Sequence, residues 1–297
     1  MTSNCNLCPR KCNADRISSV GFCGATNNIK VARAALHHWE EPCISGTRGS
    51  GTVFFCGCSL KCVYCQNIEI SKGSAGAEIS IEQLADIFLR LQSEGAHNIN
   101  LVTPTHFAIQ IAEALELAGD KLTIPIVYNC GGYESKESLD AIGDYADIYL
   151  TDMKYADDTL SMRYSMAPDY YNVSLSALKT MLERVGRPTF DSDGIMQSGV
   201  IVRHLALPSH RKDSAEVLRR LKEEFGTESF VLSLMSQYTP NGRLSDYPEI
   251  NRKITTFEYN YVTQTAFELG FRSAYTQERS SAKSEYTPPF DLSGVFE

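Results

Sequence analysis

Short apolar runs alternate with amphipathic helical segments through most of the chain, and this alternation limits the folds open to it. The runs typical of buried strands are residues 52–55, 99–103, 124–129, 147–151, 200–206 and 230–235. The helical patterns between them are residues 80–94, 106–117, 135–145, 174–185 and 213–225. Strands alternating with helices form βαβ units around a parallel sheet. The pattern predicts an α/β fold with a partial (β/α)6 TIM-like barrel, although a doubly wound sheet would show the same local pattern.

The first of these helices has a clear start signal in the sequence. Ser80 is a candidate N-cap, and Gln83 stands where it completes a capping box. The remaining chain divides into a cysteine-rich entry segment (1–50), the barrel core (51–240) and a C-terminal tail (241–297). The tail carries a helical pattern over residues 254–269, so we expect a helical tail packed on the core.

Composition narrows the class of protein. The chain has 297 residues, a formal net charge of −8 and no Lys/Arg-rich stretch, which argues against a nucleic-acid partner. No apolar run approaches the roughly 20 residues that would span a bilayer, so no membrane partner is expected. The start of the chain lacks the basic and apolar regions of a secretion signal. Ten cysteines in such a chain indicate metal ligands and free thiols, and a cytoplasmic protein.

Three cysteines stand close together directly after the first predicted strand. Cys58, Cys62 and Cys65 have CxxxCxxC spacing. Three thiolates can each bind one iron of a [4Fe–4S] cubane, which leaves the fourth iron open for a small chelating molecule. An open metal position is typical of a catalytic site. The alternatives are a three-cysteine zinc knuckle and a chance group of buried thiols, although a structural zinc site requires a fourth ligand nearby.

Polar residues stand within or just after the ends of four of the later predicted strands. They are Thr103 and Thr105, Asn129, Asp152 and Lys154, and Arg203 and His204. A zwitterionic ligand needs acceptors for its ammonium group and donors for its carboxylate, and these residues supply both. The carboxyl ends of parallel strands are also where α/β folds bind ligands. Taken singly, each residue could merely cap a strand or a helix, as Thr105 could.

The entry segment holds a second cysteine group. Cys5, Cys8, Cys12 and Cys23 could bind Zn²⁺ tetrahedrally or a second cubane, and four free thiols are the alternative. A cluster with four protein ligands would have no open iron, so it would carry electrons or stabilise the segment rather than bind substrate.

The cysteine spacing, with Tyr64 before the third cysteine, resembles the signature of the radical S-adenosylmethionine (radical SAM) superfamily. Further phrases resemble the iron–sulfur proteins related to pyruvate formate-lyase activating enzyme. These phrases are residues 8–12, 41–46, 65–67, 102–106, 203–208 and 234–238. The resemblance covers nearly the full length of the chain.

The resemblance implies a set of cofactors and site residues. Cys58, Cys62 and Cys65 would hold a [4Fe–4S] cluster whose open iron chelates the methionine part of S-adenosylmethionine. The implied cofactor-binding residues are Tyr64, Thr103, Thr105, Asn129, Asp152, Lys154, Arg203 and His204. Three residues depart from the family pattern. Thr103 and Thr105 stand where the family often has Gly-Gly-Glu, and Asn129 replaces an aspartate of the activating enzymes.

The implied activity is that of a radical SAM oxidoreductase. A reduced cluster would cleave S-adenosylmethionine to methionine and a 5′-deoxyadenosyl radical, which abstracts hydrogen from a substrate. The resemblance suggests a glycine of a partner glycyl radical enzyme as that substrate, and flavodoxin or ferredoxin as the electron donor. A small-molecule or peptide substrate is the alternative. An iron–sulfur electron-transfer or sensor protein is the second alternative.

Overall fold

A mostly parallel sheet runs through the computed structural model, which describes residues 5–277 and 287–297. The strands are β1 (Ile29–His37), β2 (Ser50–Phe55), β3 (Ala77–Ile79), β4 (Ile99–Val102), β5 (Ile126–Cys130), β6 (Ile148–Asp152), β7 (Thr189–Phe190), β8 (Met196–Leu205), β9 (Val231–Met235) and β10 (Ala274–Thr276). The helices are α1 (Pro42–Ser45), α2 (Ile68–Ser71), α3 (Ile81–Ser93), α4 (Ala108–Ala118), α5 (Lys136–Ile142), α6 (Asp158–Ser165), α7 (Tyr170–Val185), α8 (Arg211–Phe225) and α9 (Thr256–Leu269).

The order of the strands identifies the architecture. Strands β2, β4, β5, β6, β8, β9 and β10 lie side by side in chain order, and each pairs in parallel with the next. Every crossover therefore advances in one direction, and right-handed crossovers then place the helices on one face of the sheet. A doubly wound sheet reverses its direction at a switch point. The predicted partial barrel is confirmed, and the doubly wound alternative does not apply.

The predicted strands and helices are present, with shifted ends. Ser80 caps α3 as expected: its hydroxyl accepts from the Gln83 backbone N–H, and the Gln83 side chain accepts from the Ser80 N–H. Strands β1 and β10 were not predicted: β1 pairs antiparallel with β2, and β10 extends the parallel edge beside β9. The sheet therefore includes a strand from the entry segment and one from the tail. Helix α9 packs against α8.

Side chains that point to the inner face of the sheet change from apolar to polar along the strands. The apolar layer packs against Cys43 and Ile44 of α1 and consists of Val127, Ile148, Leu150, Met196, Ile201 and Val231. Strand side chains alternate between faces, so the residue two positions further on points the same way. Those residues include Asn129, Asp152, Arg203 and Ser233, which line a cavity. Helix α1 thus helps close the lower end of the partial barrel and leaves a polar cavity at the carboxyl ends of its strands.

Candidate active site

The cavity has a volume of about 530 Å³ and brings together residues from both ends of the chain. Of the predicted site residues, it is lined by Cys58, Cys62, Tyr64, Cys65, Thr103, Asn129, Asp152, Lys154 and Arg203. Three thiols and a set of charged and amide groups therefore border one space. This is the arrangement expected where a cluster and a zwitterionic ligand are to meet.

The thiols lie on a loop that is tied down by backbone hydrogen bonds. The Cys58 N–H donates to the Cys23 carbonyl at 3.0 Å, and the Val63 N–H donates to the Tyr164 carbonyl at 2.8 Å. Burial raises the pKa of the Cys58 thiol to about 12 and that of Cys65 to about 11. Cluster binding needs thiolates, so it would be accompanied by loss of these protons.

Hydroxyl groups connect the Cys62 sulfur with Tyr64. Ser165 Oγ lies 2.9 Å from Cys62 Sγ and 2.7 Å from the Tyr155 hydroxyl, which lies 2.6 Å from the Tyr64 hydroxyl. A hydroxyl that donates to sulfur stabilises negative charge on it. Ser165 and Tyr155 were not predicted as site residues, because they are separated from the cysteine loop by about a hundred positions and carry no local pattern.

Asp152 and Lys154 form an ion pair within the cavity lining. Burial alone would lower the pKa of Lys154, but the Asp152 carboxylate together with Cys62 and Tyr170 raises this pKa well above its usual value. The ammonium group therefore stays charged. The Tyr170 hydroxyl accepts from the Lys154 N–H at 3.1 Å and donates to the Gly131 carbonyl at 2.8 Å, which fixes the end of β6 beside β5.

Arg203 lines the cavity, but its guanidinium is already engaged by two carboxylates of the entry segment. It donates to Glu41 through Nε at 2.7 Å and through Nη2 at 2.6 Å, and it also pairs with Glu40. Asn129 lies at the margin of this group, with its Oδ1 at 3.4 Å from Arg203 Nη1. Arg203 was expected to face S-adenosylmethionine, whereas its guanidinium N–H groups donate to the carboxylates of the protein itself. Sequence reasoning gave no role to Glu40 or Glu41.

Thr105 and His204 lie outside the cavity, contrary to the expectation that they bind the cofactor. Thr105 Oγ1 donates to the buried Glu134 carboxylate at 2.8 Å. His204 follows Arg203 on β8, so its side chain points to the opposite face of the sheet, where Nδ1 lies 2.7 Å from the Met153 carbonyl. Burial lowers the pKa of His204 to about 4, so the ring is neutral near pH 7. Thr103 does line the cavity, in a left-handed conformation (φ 61°) that a β-branched residue adopts only under strain.

Thiolate is the donor that an iron–sulfur cluster takes, and the cavity supplies three thiols. Within residues 5–277 and 287–297, no three His, Cys, Asp or Glu side chains are arranged to hold one metal ion. In a cubane each thiolate binds a different iron, so the sulfurs need not converge on one point. Cys58, Cys62 and Cys65 are free thiols that border a common cavity. That arrangement is compatible with three ligands of one cubane.

Comparison with known families bears on this geometry. Residues 52–196 match the family model described as the Radical SAM superfamily. This part of the chain is a radical SAM domain. The match includes the three cysteines of the loop, Asp152 and Lys154. Radical SAM proteins use a [4Fe–4S] cluster and S-adenosylmethionine, so the predicted cofactors are confirmed at the level of the family.

Individual relatives add the extent of the likeness. The uncharacterized protein MJ0674 of Methanocaldococcus jannaschii is 28% identical over 272 residues, which cover 89% of this chain and 74% of that protein. Streptococcus suis SuiB, solved with bound S-adenosylmethionine, superposes with a TM-score of 0.53 at 14% identity over 74% of this chain and 48% of SuiB. The FeFe-hydrogenase maturase HydG of Carboxydothermus hydrogenoformans gives 0.50 at 13% identity over 77% of this chain and 53% of HydG.

The two solved structures establish a shared fold and nothing finer. This chain spans about half the length of the SuiB and HydG chains that it matches. The subgroup related to pyruvate formate-lyase activating enzyme stays a prediction. The part of the chain that the structure describes contains no helix long and apolar enough to cross a membrane.

Proposed function

We propose that the protein is a radical SAM enzyme whose cluster is held by Cys58, Cys62 and Cys65 and whose S-adenosylmethionine binds in the adjoining cavity. The observation that carries the proposal is that these three thiols border the same cavity as Thr103, Asn129 and Lys154. When bound and reduced, the cluster supplies one electron to the sulfonium of S-adenosylmethionine, which yields methionine and a 5′-deoxyadenosyl radical that abstracts hydrogen from the substrate.

Polar groups of the cavity suit the α-ammonium and α-carboxylate groups of the methionine moiety. The Lys154 ammonium offers donors to a carboxylate, and the side-chain oxygens of Thr103 and Asn129 offer acceptors to an ammonium group. The pKa of Lys154 is raised beside the Asp152 carboxylate, so the ammonium group of Lys154 is charged. We assign Arg203 a positioning role: through Glu40 and Glu41 it holds the entry segment against the cavity wall.

We expect the apolar part of the cavity lining to limit the access of water to the radical chemistry. Apolar side chains line this region, among them Phe54, Leu60, Tyr64, Val102 and Met235. These side chains would restrict the space in which a carbon radical can move before it meets the substrate.

The exposed rim of the cavity favours a peptide or protein segment as substrate. Gln66, Gln237 and Gln277 lie on this rim together with the indole of Trp39. Gln66 Nε2 donates to the Gln237 carbonyl at 3.3 Å, and Gln277 Nε2 donates to the Gln237 side chain at 3.2 Å. Amide groups can pair with both the N–H and the C=O of a peptide backbone. A glycine of a partner glycyl radical enzyme is such a substrate, and a small molecule is the alternative.

The cleavage reaction is tested first, with anaerobically reconstituted protein, dithionite and S-adenosylmethionine. We expect the wild type to form 5′-deoxyadenosine, and Cys58→Ala to form none. Cys43→Ala is the matched control, because Cys43 is a buried thiol outside the cavity lining. A wild type that contains the cluster yet forms no 5′-deoxyadenosine would overturn the proposal in favour of an electron-transfer or sensor protein.

The substrate is tested separately, with a candidate glycyl radical enzyme whose glycines carry α-deuterium. Deuterium in the 5′-deoxyadenosine, together with a glycyl radical signal in electron paramagnetic resonance (EPR), is the expected result. If 5′-deoxyadenosine forms without deuterium and without that signal, the glycyl substrate is wrong and the cleavage reaction still stands.

A further inference from the structure

The first part of the entry segment, residues 5–28, is folded without any helix or strand. It nevertheless buries Cys8, Cys23, Ala25 and the charged Arg16. A segment of this kind has little apolar core of its own, so a cross-link would stabilise it. Its four cysteines are free thiols rather than disulfides. A metal–thiolate centre is the remaining type of cross-link that four such residues can supply.

The four cysteines of this segment form one group in space. Cys8 is close enough to Cys5 and Cys23 for their charges to interact. A methyl group on Gly21 would lie 3.3 Å from Cys23 Sγ and 3.7 Å from Cys12 Sγ, so both sulfurs border the space that Gly21 leaves free. The φ angle of Gly21 is not in the left-handed region, so space rather than backbone conformation is what this glycine supplies.

A buried cation faces the group. The Arg16 guanidinium lies 4.0 Å from Cys5 Sγ, and its charge also interacts with Cys12 and Cys23. Arg16 is 7% exposed, and a buried charge is costly unless opposite charge balances it. A centre bound by four thiolates carries negative charge and would provide that balance.

The group lies directly behind the cysteine loop of the cavity. The Cys58 N–H donates to the Cys23 carbonyl at 3.0 Å, so a ligand of one group is hydrogen-bonded to a ligand of the other. Gly57 (φ 97°) allows this approach, because a Cβ there would lie 3.0 Å from the same carbonyl oxygen. Arg10 adds a second link through its Nε, which donates to the Ser59 carbonyl at 2.7 Å.

Exposure differs between the two ends of the group. Cys12 is exposed, and the neighbouring Ile17 and Val20 are 67% and 59% exposed, whereas Cys23 is buried beside Cys58. The group therefore reaches from the protein surface to the cysteine loop. The opposite side of that loop faces the cavity, which S-adenosylmethionine and substrate would fill during turnover. Electrons supplied at that stage need a route that does not pass through the cavity.

We propose that Cys5, Cys8, Cys12 and Cys23 bind a second [4Fe–4S] cluster, through which electrons reach the cluster site at Cys58, Cys62 and Cys65. This proposal rests on the proposed function for the role of the second site. Zinc is the alternative occupant: its ligands would have to surround one ion, and the metal analysis below distinguishes it from a cluster. The iron ligands of a cubane are spread over four metal atoms instead.

The electron balance is simple. A low-potential one-electron donor of the flavodoxin or ferredoxin class loses one electron at the exposed end of the group. The entry site is reduced by that electron and reoxidised when the electron passes to the cavity site. One such transfer accompanies each S-adenosylmethionine that is cleaved.

Metal analysis of the anaerobically reconstituted full chain tests the second site without relying on activity. We expect about eight iron atoms per chain in the wild type and about four in the triple variant Cys58→Ala/Cys62→Ala/Cys65→Ala, with matching sulfide. The iron left in the triple variant should give an EPR signal on reduction. Cys43→Ala, which changes a thiol outside both groups, should keep the wild-type iron content.

Other metal contents overturn one proposal or the other. About four iron atoms in the wild type and none in the triple variant exclude the entry cluster, and one retained zinc per chain identifies a zinc site instead. An unchanged iron content in the triple variant refutes the cavity cluster of the proposed function and leaves the entry site standing. The triple variant keeps all four entry cysteines, so the result does not depend on whether entry-segment variants fold.

The electron route is tested with Cys8→Ala/Cys12→Ala, which leaves the three loop cysteines intact. Reduction of the cavity cluster is monitored by EPR. In the presence of S-adenosylmethionine, we expect flavodoxin to reduce this cluster in the wild type but not in the variant. Dithionite should still reduce it in the variant when S-adenosylmethionine and substrate are absent. Reduction by flavodoxin at the wild-type rate, in a variant that has lost the entry iron, would refute the route. Cys43→Ala is again the matched control.

Discussion

Replacing Arg203 by methionine separates a structural role of this residue from direct cofactor binding. The guanidinium donates to Glu41 through two nitrogens and pairs with Glu40. Its side chain is 14% exposed, and those of the two glutamates are 9% and 6% exposed. Removing one partner of a buried ion pair typically costs about 3–5 kcal/mol, because the other charges are left without compensation. We expect Arg203→Met to lower the free energy of unfolding by about this amount.

A second substitution tests the origin of the loss. Arg203→Met/Glu41→Gln removes one of the stranded carboxylates, so it should recover at least about 1 kcal/mol relative to Arg203→Met alone. Arg187→Met is the matched control: Arg187 pairs with Glu228 at 3.6 Å, but their side chains are 77% and 78% exposed. Exposed pairs of this kind contribute about 0–1 kcal/mol, so the control should unfold close to the wild type.

The assay is urea unfolding of the metal-free protein under anaerobic, reducing conditions, followed by circular dichroism. Binding of S-adenosylmethionine to the reconstituted variants is measured in parallel. If Arg203→Met unfolds at the wild-type midpoint while S-adenosylmethionine binding is lost, the guanidinium serves the cofactor and our interpretation of the ion pair is wrong.

Three further substitutions test other parts of the structure. Burial raises the pKa of Glu134 from 4.5 to about 7 in the folded protein. Protonated Glu134 therefore stabilises the folded state relative to the unfolded one. This stabilisation is fully present below pH 4.5 and is lost as the pH rises towards 7. Between about pH 5 and about pH 8, the free energy of unfolding of the wild type should therefore fall by about 2 kcal/mol more than that of Glu134→Gln, as measured by urea unfolding. The exposed Glu137→Gln should behave as the wild type. Gly132→Ala should lower the free energy of unfolding by about 2–4 kcal/mol in thermal or urea unfolding, because Gly132 has a φ of 80° and the methyl group would collide with a backbone carbonyl. In the control Gly119→Ala the methyl group meets open space, so the loss should be about 1–2 kcal/mol. Ser165→Ala removes the hydroxyl that contacts the Cys62 sulfur of the proposed cluster. The reduction potential of the cluster should become more negative in an EPR-monitored titration. An unchanged potential would contradict that contact.

Periodicity along β8 explains why one predicted site residue lies outside the cavity. Arg203 and His204 were both assigned to the cofactor, yet neighbouring residues of a strand point to opposite faces. The apolar residue Ile201 shares its face with Arg203 and belongs to the layer packed on α1. Applying the two-residue period to this strand would have kept Arg203 and removed His204 without a structure.

Other parts of the site had no signal in the sequence. Glu40 and Glu41 precede Pro42 at the start of α1, where acidic residues are common for reasons of helix polarity alone. Their pairing with Arg203 spans more than 160 positions. Thr105 lies in a short turn after β4, and its hydroxyl could have pointed towards the cavity or away from it. Contacts of this kind depend on how separate elements pack, which local propensity does not encode.

The sequence by itself determined the alternation of strands and helices, the cysteine loop after the first parallel strand, and the polar residues at the later strand ends. These features follow from local periodicity and from the few residue types that bind iron–sulfur clusters. Only the tertiary structure decided that the crossovers all advance in one direction, that the entry segment supplies carboxylates to Arg203, and that Cys23 lies against Cys58. The reason is physical: burial, charge balance and close backbone approach are properties of residues that meet in space, and these residues are far apart in the chain.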